Sequence, residues 1–558
     1  MAKLISNLNK YSRVITQPKE RGAAQAMLYA LGLTKQDMKK PQVGVCSMWY
    51  QGNPCNCNLN FLSDSISKSI SKEDMLAMQF NTIGISDGIS MGTEGMKYSL
   101  PSRDLISDSI ESVVKGMHYD ALVCIPGCDK NLPGSVMAMI QLNRPSLMVY
   151  GGSMKPSEPD KYDIVSAFES YGQYLSGEIT DEERQKIVSS ACNKGCGSCS
   201  GFYTANTMAS LFEVMGISLP NSSSNMNMSR SKLLETDEIG SAIKNLLIQD
   251  IKPKDILTKQ AFKNAITMLY AIGGSTNAVI HLLAIAQVGG IELTLDDFSE
   301  LENVPVLLNM KPHGKYVMDD LDKLGGTSIV IKYLIDLDLI DGSLITVTGK
   351  TLEENVAHID TKDYINENKD IILPVEFPFK DESHITILKG NLAVDGCISK
   401  ISSKDKFFEA PLIVFDSEEE MLEALKEDKI KRKDMILLRY QGESIGCPEM
   451  LTPTSALIGY FGENPPILAT DGRFSGGSHG ILIANLPDAY KPDNLTRILK
   501  NGDKVQIDLT NNKIDVMLDH QVIQQRLNNT PVKKLNQDGY LNKFKKLVGN
   551  IETGYCTY

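Results

Sequence analysis

Apolar residues along this chain fall into short blocks punctuated by turns. The segment from Asp120 to Ile125 is apolar after its first residue and stops at Pro126-Gly127, which predicts a strand. Leu132-Pro133-Gly134 reads as a second turn that opens a helix-like run over 136–142. Between Asp104 and Val114, apolar residues recur at Leu105, Ile106, Ile110, Val113 and Val114, the spacing of an amphipathic helix. Val43 to Cys46 and Pro466 to Thr470 predict further strands. Strand-like and helical runs alternate from residue 1 to about 370, which predicts an α/β domain built on a parallel sheet. The polar stretch 360–370 predicts a linker. Beyond it, Ile385 to Leu388, Leu412 to Phe415 and Met435 to Leu438 predict a β-rich second domain over 371–558.

Composition narrows the function classes. A chain of 558 residues exceeds the usual single-domain size. It is 42% hydrophobic and 23% charged, ordinary for a globular protein. A net charge of −12 disfavours a general nucleic-acid binder, which shows a basic face. No apolar run approaches the roughly 20 residues of a membrane span. The first ten residues lack both the apolar core of a signal peptide and the arginines of a transit segment. The expectation is a cytoplasmic protein whose eleven cysteines are thiols or metal ligands rather than disulfides.

The cysteines differ in their surroundings. Cys46 and Cys124 lie inside the strand-like runs and read as core. Cys55, Cys128 and Cys199 lie in segments rich in Gly, Pro, Asn and Ser, where backbone approaches a cofactor closely. Gly127-Cys128-Asp129-Lys130 follows a strand end, where ligands of α/β sheets gather. It sets a soft thiolate, suited to iron–sulfur or zinc, beside a hard carboxylate, suited to magnesium or calcium. Cys192-x3-Cys196-x2-Cys199 has the spacing of radical S-adenosylmethionine enzymes, but Ser198 stands where an aromatic commonly precedes the last cysteine. Thr348-Gly349-Lys350-Thr351 resembles the end of a phosphate loop, yet Leu344 replaces the first glycine that loop needs. His281 sits in an apolar helical run and reads as core, whereas His479 follows a Gly/Ser loop within possible reach of a substrate.

Motifs in order along nearly the whole chain resemble the dihydroxy-acid dehydratases and their sugar-acid dehydratase relatives. They include Asn53-Pro54-Cys55-Asn56, the block from Asn81 to Gly92, Tyr98 to Arg103, and Gly127 to Lys130. Gly197 to Ala209, Gly273 to Ala284, Thr346 to Gly349 and Thr470 to Gly477 follow. The resemblance implies an α/β domain followed by a swivelling β-barrel-like domain, with the active site between them. It implies dehydration of 2,3-dihydroxy carboxylic acids to 2-keto acids, serving branched-chain amino-acid synthesis, by a homodimer.

Its implied cofactors are a 2Fe-2S cluster on Cys55, Cys128 and Cys199, and magnesium on Asp87, Asp129, Lys130 and Glu449. An ammonium cannot ligate magnesium, and in relatives the lysine is carbamylated. Ser475 is the implied base at C2. Cys55 favours 2Fe-2S, since relatives with a 4Fe-4S cluster typically lack that cysteine; the Gly197-Ser198-Cys199-Ser200-Gly201 form is common among those relatives, so 4Fe-4S is the alternative. The chain departs from the family pattern at Tyr440 to Glu449, which is shorter and poorer in glycine and contains Glu443 and Cys447, and at Val394, where proline is common. Alternative activities are a sugar-acid dehydratase or a radical enzyme built on Cys192, Cys196 and Cys199.

Overall fold

The continuous apolar runs near the start of the chain become a parallel sheet. In the computed structural model, which describes residues 8–403, 405–462 and 464–558, β1 (Gln42–Ser47), β2 (Leu76–Asn81), β3 (Ala121–Ile125) and β4 (Ser146–Met148) pair in the order β2-β1-β3-β4. Cys46 faces Cys124 across the β1–β3 ladder, and both are fully buried, as core residues should be. Helices cover the sheet: α1 (Leu59–Lys72), α2 (Ser99–Gly116) and α3 (Asn131–Leu142). A parallel sheet needs such cover because both its faces are apolar.

Two predicted boundaries move. The turn expected at Leu132-Pro133-Gly134 is instead the first turn of α3. Proline is tolerated there, where its missing N–H has no helical acceptor. The alternation of strands and helices also ends at Met148, not near residue 370. From there to Asn368 the named elements are helices, including α4 (Ile164–Ser176), α5 (Thr204–Val214) and α6 (Asn277–Gly289). Almost every residue of α6 is buried, and a short run that is apolar all round does not separate a buried helix from a strand. The polar stretch read as a linker contains a helix, Thr361–Asn368, whose first turn Asp360 caps by accepting the Lys362 amide at 3.1 Å.

The later strands form one mixed sheet of eight: β5 (Ile385–Leu388), β6 (Cys397–Ile401), β7 (Phe407–Phe415), β8 (Met435–Leu438), β9 (Ile467–Thr470), β10 (Ile481–Ala484), β11 (Lys504–Asp508) and β12 (Lys513–Val516). Their order is β12-β11-β7-β8-β9-β10-β6-β5. The sheet nearly closes on itself, because Lys389, just after β5, exchanges backbone hydrogen bonds with Asn512 and Ile514. Its interior is lined by Leu388, Cys397, Leu412, Leu437, Ala469, Ile483, Val505 and Ile514.

The two sheets are bound together by helices. α4 packs on α7 (Leu451–Phe461), and a side chain at Gly172 would come within 2.3 Å of the Ala456 carbonyl. Chain that follows the barrel returns to the first layer, where the Arg103 guanidinium of α2 donates to the carbonyls of Gly554 and Tyr555 at 2.9 and 3.1 Å. Residues near the C-terminus therefore complete the first core.

Candidate active site and metal centre

Two donor sets meet at the carboxyl end of β3. The soft set lies on three loops. Gly127 precedes Cys128 and lies so close to Cys55 that a Cβ there would sit 2.3 Å from the Cys55 carbonyl. Cys55 is fixed by Asn53, whose Oδ1 accepts the Cys55 amide at 2.9 Å, and Cys128 by Asn131, whose Oδ1 accepts the Cys128 amide at 3.1 Å. Asn206 of α5 donates to the Cys199 carbonyl at 2.6 Å, and Ser198 donates to the Gly127 carbonyl, tying the third loop to the second.

The adjacent Cys128 thiol and burial push the Cys55 thiol well above its ordinary range; burial and then Asp129 do the same to Cys199. Thiols held neutral in this way become thiolates when a cation binds them. Within three residues of each cysteine along the chain, a buried polar atom has no partner among the described residues: Asn56 Nδ2, Asn131 Nδ2 and Ser200 Oγ. Orphaned donors next to three convergent thiols fit a sulfur-rich anionic group, whose sulfurs take hydrogen bonds.

The hard set surrounds Lys130. Its ammonium is fully buried and donates to Asp87 Oδ2 and Glu449 Oε1, each at 2.9 Å, with Asp129 Oδ2 at 3.9 Å. Oxygens of Asp87, Asp129 and Glu449 lie within 4.8 Å of one another. Asp87 is the first residue of a short helix, and Glu449 comes from the loop before α7, so the shortened Tyr440 to Glu449 stretch still delivers its carboxylate to the cluster.

Burial opposes the charge on Lys130, but Asp87, Glu449 and Asp129 outweigh it and raise its pKa. Burial lifts Asp129 to about 7. Burial works against Glu449 too, yet Lys130 and Arg473 hold its pKa down. The Lys130 ammonium thus stands where three carboxylates call for a cation. Glu449 Oε2 is buried and has no partner among the described residues, an acceptor that a metal would satisfy.

A second layer, to which the sequence motifs gave little or no role, orients this set. Arg473 donates through Nη1 to Glu449 and, at 2.9 Å, to Asn277 Oδ1, through Nη2 to Ser99 Oγ at 3.2 Å, and through Nε to the Cys447 carbonyl at 2.7 Å. Asn277 of α6 donates to Glu449 Oε1 at 2.9 Å, and Ser99 of α2 donates to Asp87 Oδ1 at 2.8 Å. Both residues belong to motifs legible in the chain, Gly273 to Ala284 and Tyr98 to Arg103. Ser475 follows Arg473 by two residues; its Oγ accepts the Gly477 amide at 3.4 Å, and its loop packs on Tyr203 and Thr204. His281 is fully buried, as expected, and burial drives its pKa far down. His479 points toward Glu169 at 3.9 Å.

The expectation that no cysteine is paired is corrected, because Cys57 and Cys196 are joined in a disulfide. The physical reason is the meeting of two loops that the sequence keeps 139 residues apart: the Gly197 amide donates to the Pro54 carbonyl at 3.0 Å. The spacing Cys192-x3-Cys196-x2-Cys199 therefore does not present three free thiols. Cys196 is tied to Cys57; Cys199 neighbours Cys55, Cys128 and Cys192, of which Cys192 alone is exposed. Cys192→Ala is expected to keep wild-type iron content and turnover; iron loss on colorimetric assay would place Cys192 among the ligands.

Family models for Dihydroxy-acid/6-phosphogluconate dehydratase N-terminal and C-terminal regions match residues 40–355 and 370–555. The chain belongs to this dehydratase family. Among its family relatives, Dihydroxy-acid dehydratase of Francisella tularensis subsp. novicida is 49% identical over 99% of both chains. The mitochondrial Dihydroxy-acid dehydratase of Saccharomyces cerevisiae is 48% identical over 98% of this chain and 95% of its own. The chloroplastic Dihydroxy-acid dehydratase of Arabidopsis thaliana is 46% identical over 99% and 91%. No helix among the described residues is long and apolar enough to cross a membrane.

Proposed function

We propose that this protein removes water from 2,3-dihydroxyisovalerate and 2,3-dihydroxy-3-methylvalerate, giving the 2-keto acids of valine and isoleucine synthesis. The observation that carries the reading is the turn after β3. Consecutive residues give Cys128 to the thiol set and Asp129 and Lys130 to the carboxylate set, so one substrate can touch both. The shared naming of relatives in bacteria, fungi and plants supports the branched-chain substrates over aldonates.

In this reading Cys55, Cys128 and Cys199 hold a 2Fe-2S cluster, and Asp87, Asp129, Glu449 and a carbamylated Lys130 hold magnesium. When bound, these groups supply Lewis acidity for the departing C3 hydroxyl and for the charge that develops next to the carboxylate. The chain supplies the rest. Ser475 Oγ takes the C2 proton; the Gly477 amide, which already donates to that oxygen, stabilises it as an alkoxide. Arg473 keeps the start of the Ser475 loop in register with Glu449. Ser475 is only 8% exposed, so bulk water is held away from the ionised oxygen. The resulting enol tautomerises to the keto acid without further help. The resemblance also supports a homodimer.

The test is an anaerobic assay of metal-replete protein, comparing keto-acid formation from dihydroxyisovalerate with that from aldonates. Turnover of aldonates alone would transfer the assignment to the sugar-acid branch. Iron and sulfide counts, with paramagnetic resonance of the reduced protein, separate 2Fe-2S from 4Fe-4S.

A further inference from the structure

Lys400 is the fourth residue of β6, whose five residues are all buried. Ile398, two residues earlier and on the same side, packs into the core of the first layer, whereas Cys397 faces the barrel interior. An apolar side chain is what such a position ordinarily takes. The lysine is 1% exposed, and among the described residues no carboxylate pairs with it. Burial alone pushes its pKa down to about 7. Its titratable neighbours cannot offset its charge: burial, reinforced by Lys400, holds His313 far below its ordinary range, His384 at about 3 and His479 at about 4. A buried amine without a counter-ion is a cost to the fold.

The hydrogen bond its side chain makes among the described residues shows what the cost serves. Nζ donates to the Ser478 carbonyl at 2.5 Å. The Ser478 amide in turn donates to the Ser475 carbonyl at 3.1 Å, closing the turn that displays Ser475. On its other side the same turn is confined, since a Cβ at Gly476 would lie 2.5 Å from the Thr204 amide nitrogen. The turn is thus clamped between the loop that follows Cys199 and a side chain of the barrel.

We infer that Lys400 is a positioning residue for Ser475: by fixing the Ser478 carbonyl from β6, it sets the direction in which the Ser475 hydroxyl meets the substrate. The inference rests on the reading of Ser475 as the base. Amine and ammonium both donate, so the contact survives titration of Lys400.

The test compares Lys400→Met, Lys400→Gln and Ser475→Ala in the metal-replete protein. Lys400→Met should lower kcat by roughly ten- to hundredfold, the cost of a misplaced reacting group, and leave KM unchanged. Iron and magnesium contents should hold, and amide exchange over 476–480 should quicken. The thermal midpoint at neutral pH should stay level or rise, because an unpaired buried charge has been removed. Lys400→Gln, a neutral donor, should recover part of kcat. Full kcat in Lys400→Met with an inactive Ser475→Ala overturns the inference and leaves the base in place. Loss of fold, or a fall in kcat that tracks a lower thermal midpoint, overturns it as well by making Lys400 structural. An active Ser475→Ala removes the reading beneath it.

Discussion

Replacing Lys130 with methionine is expected to lower turnover by on the order of 10³-fold, with magnesium content falling alongside. The reason is electrostatic. Asp87, Asp129 and Glu449 bring three carboxylates to one point, Asp129 only part ionised near neutrality, and Lys130 and Arg473 are cations that face them. In metal-free protein, methionine leaves three carboxylates against one guanidinium, and breaking such a buried pair costs about 3–5 kcal/mol of stability. Lys130→Arg separates charge from chemistry. It restores the cation and most of that stability in the metal-free state, but an arginine cannot form the carbamate that would ligate magnesium. Denaturant melts of metal-free protein and turnover of loaded protein should therefore diverge for Lys130→Arg and fall together for Lys130→Met. Wild-type turnover in Lys130→Arg would remove Lys130 from the metal site.

Replacing Cys199 with serine is expected to abolish activity to background and to bleach the protein. Cys55, Cys128 and Cys199 are soft donors on three separate loops, and an alcohol of much higher pKa does not substitute for a thiolate on iron. Acid-labile sulfide should disappear with the colour. The fold should survive, because the third loop is also held by Asn206 on the Cys199 carbonyl, by Ser198 on the Gly127 carbonyl and by the Cys57–Cys196 disulfide. A Cys199→Ser protein with full sulfide content would disprove the proposed ligand set; unchanged far-ultraviolet dichroism distinguishes loss of the cluster from loss of the fold.

Strands were legible wherever an apolar run was short and bounded. β5 and β8 fall where Ile385 to Leu388 and Met435 to Leu438 predict them, and β3 lies one residue inside its predicted run. The helices from Ile164 to Asn368 were less legible, because a fully buried helix such as α6 has no polar face to set a period. The donor residues were visible as types in loops, and family motifs tied them together. Nothing in periodicity could bring Glu449 to Lys130 across 319 residues, and nothing local marks Ser99 or Asn277 as partners of Asp87 and Glu449. The disulfide was missed for a different reason. The expected compartment argues against disulfides in general, but pairing is decided by which loops touch, and the contact between Pro54 and Gly197 exists only in three dimensions.

The complete burial of Lys130 sets a condition on its proposed carbamylation. Carbon dioxide reacts only with a free amine that it can reach, and in the closed structure that amine is locked between carboxylates supplied by both layers. On the proposed reading, carbamylation of Lys130 requires a state in which Glu449 and Arg473 leave the amine accessible. A chain closed before that step would keep its own ammonium in the place of the proposed metal.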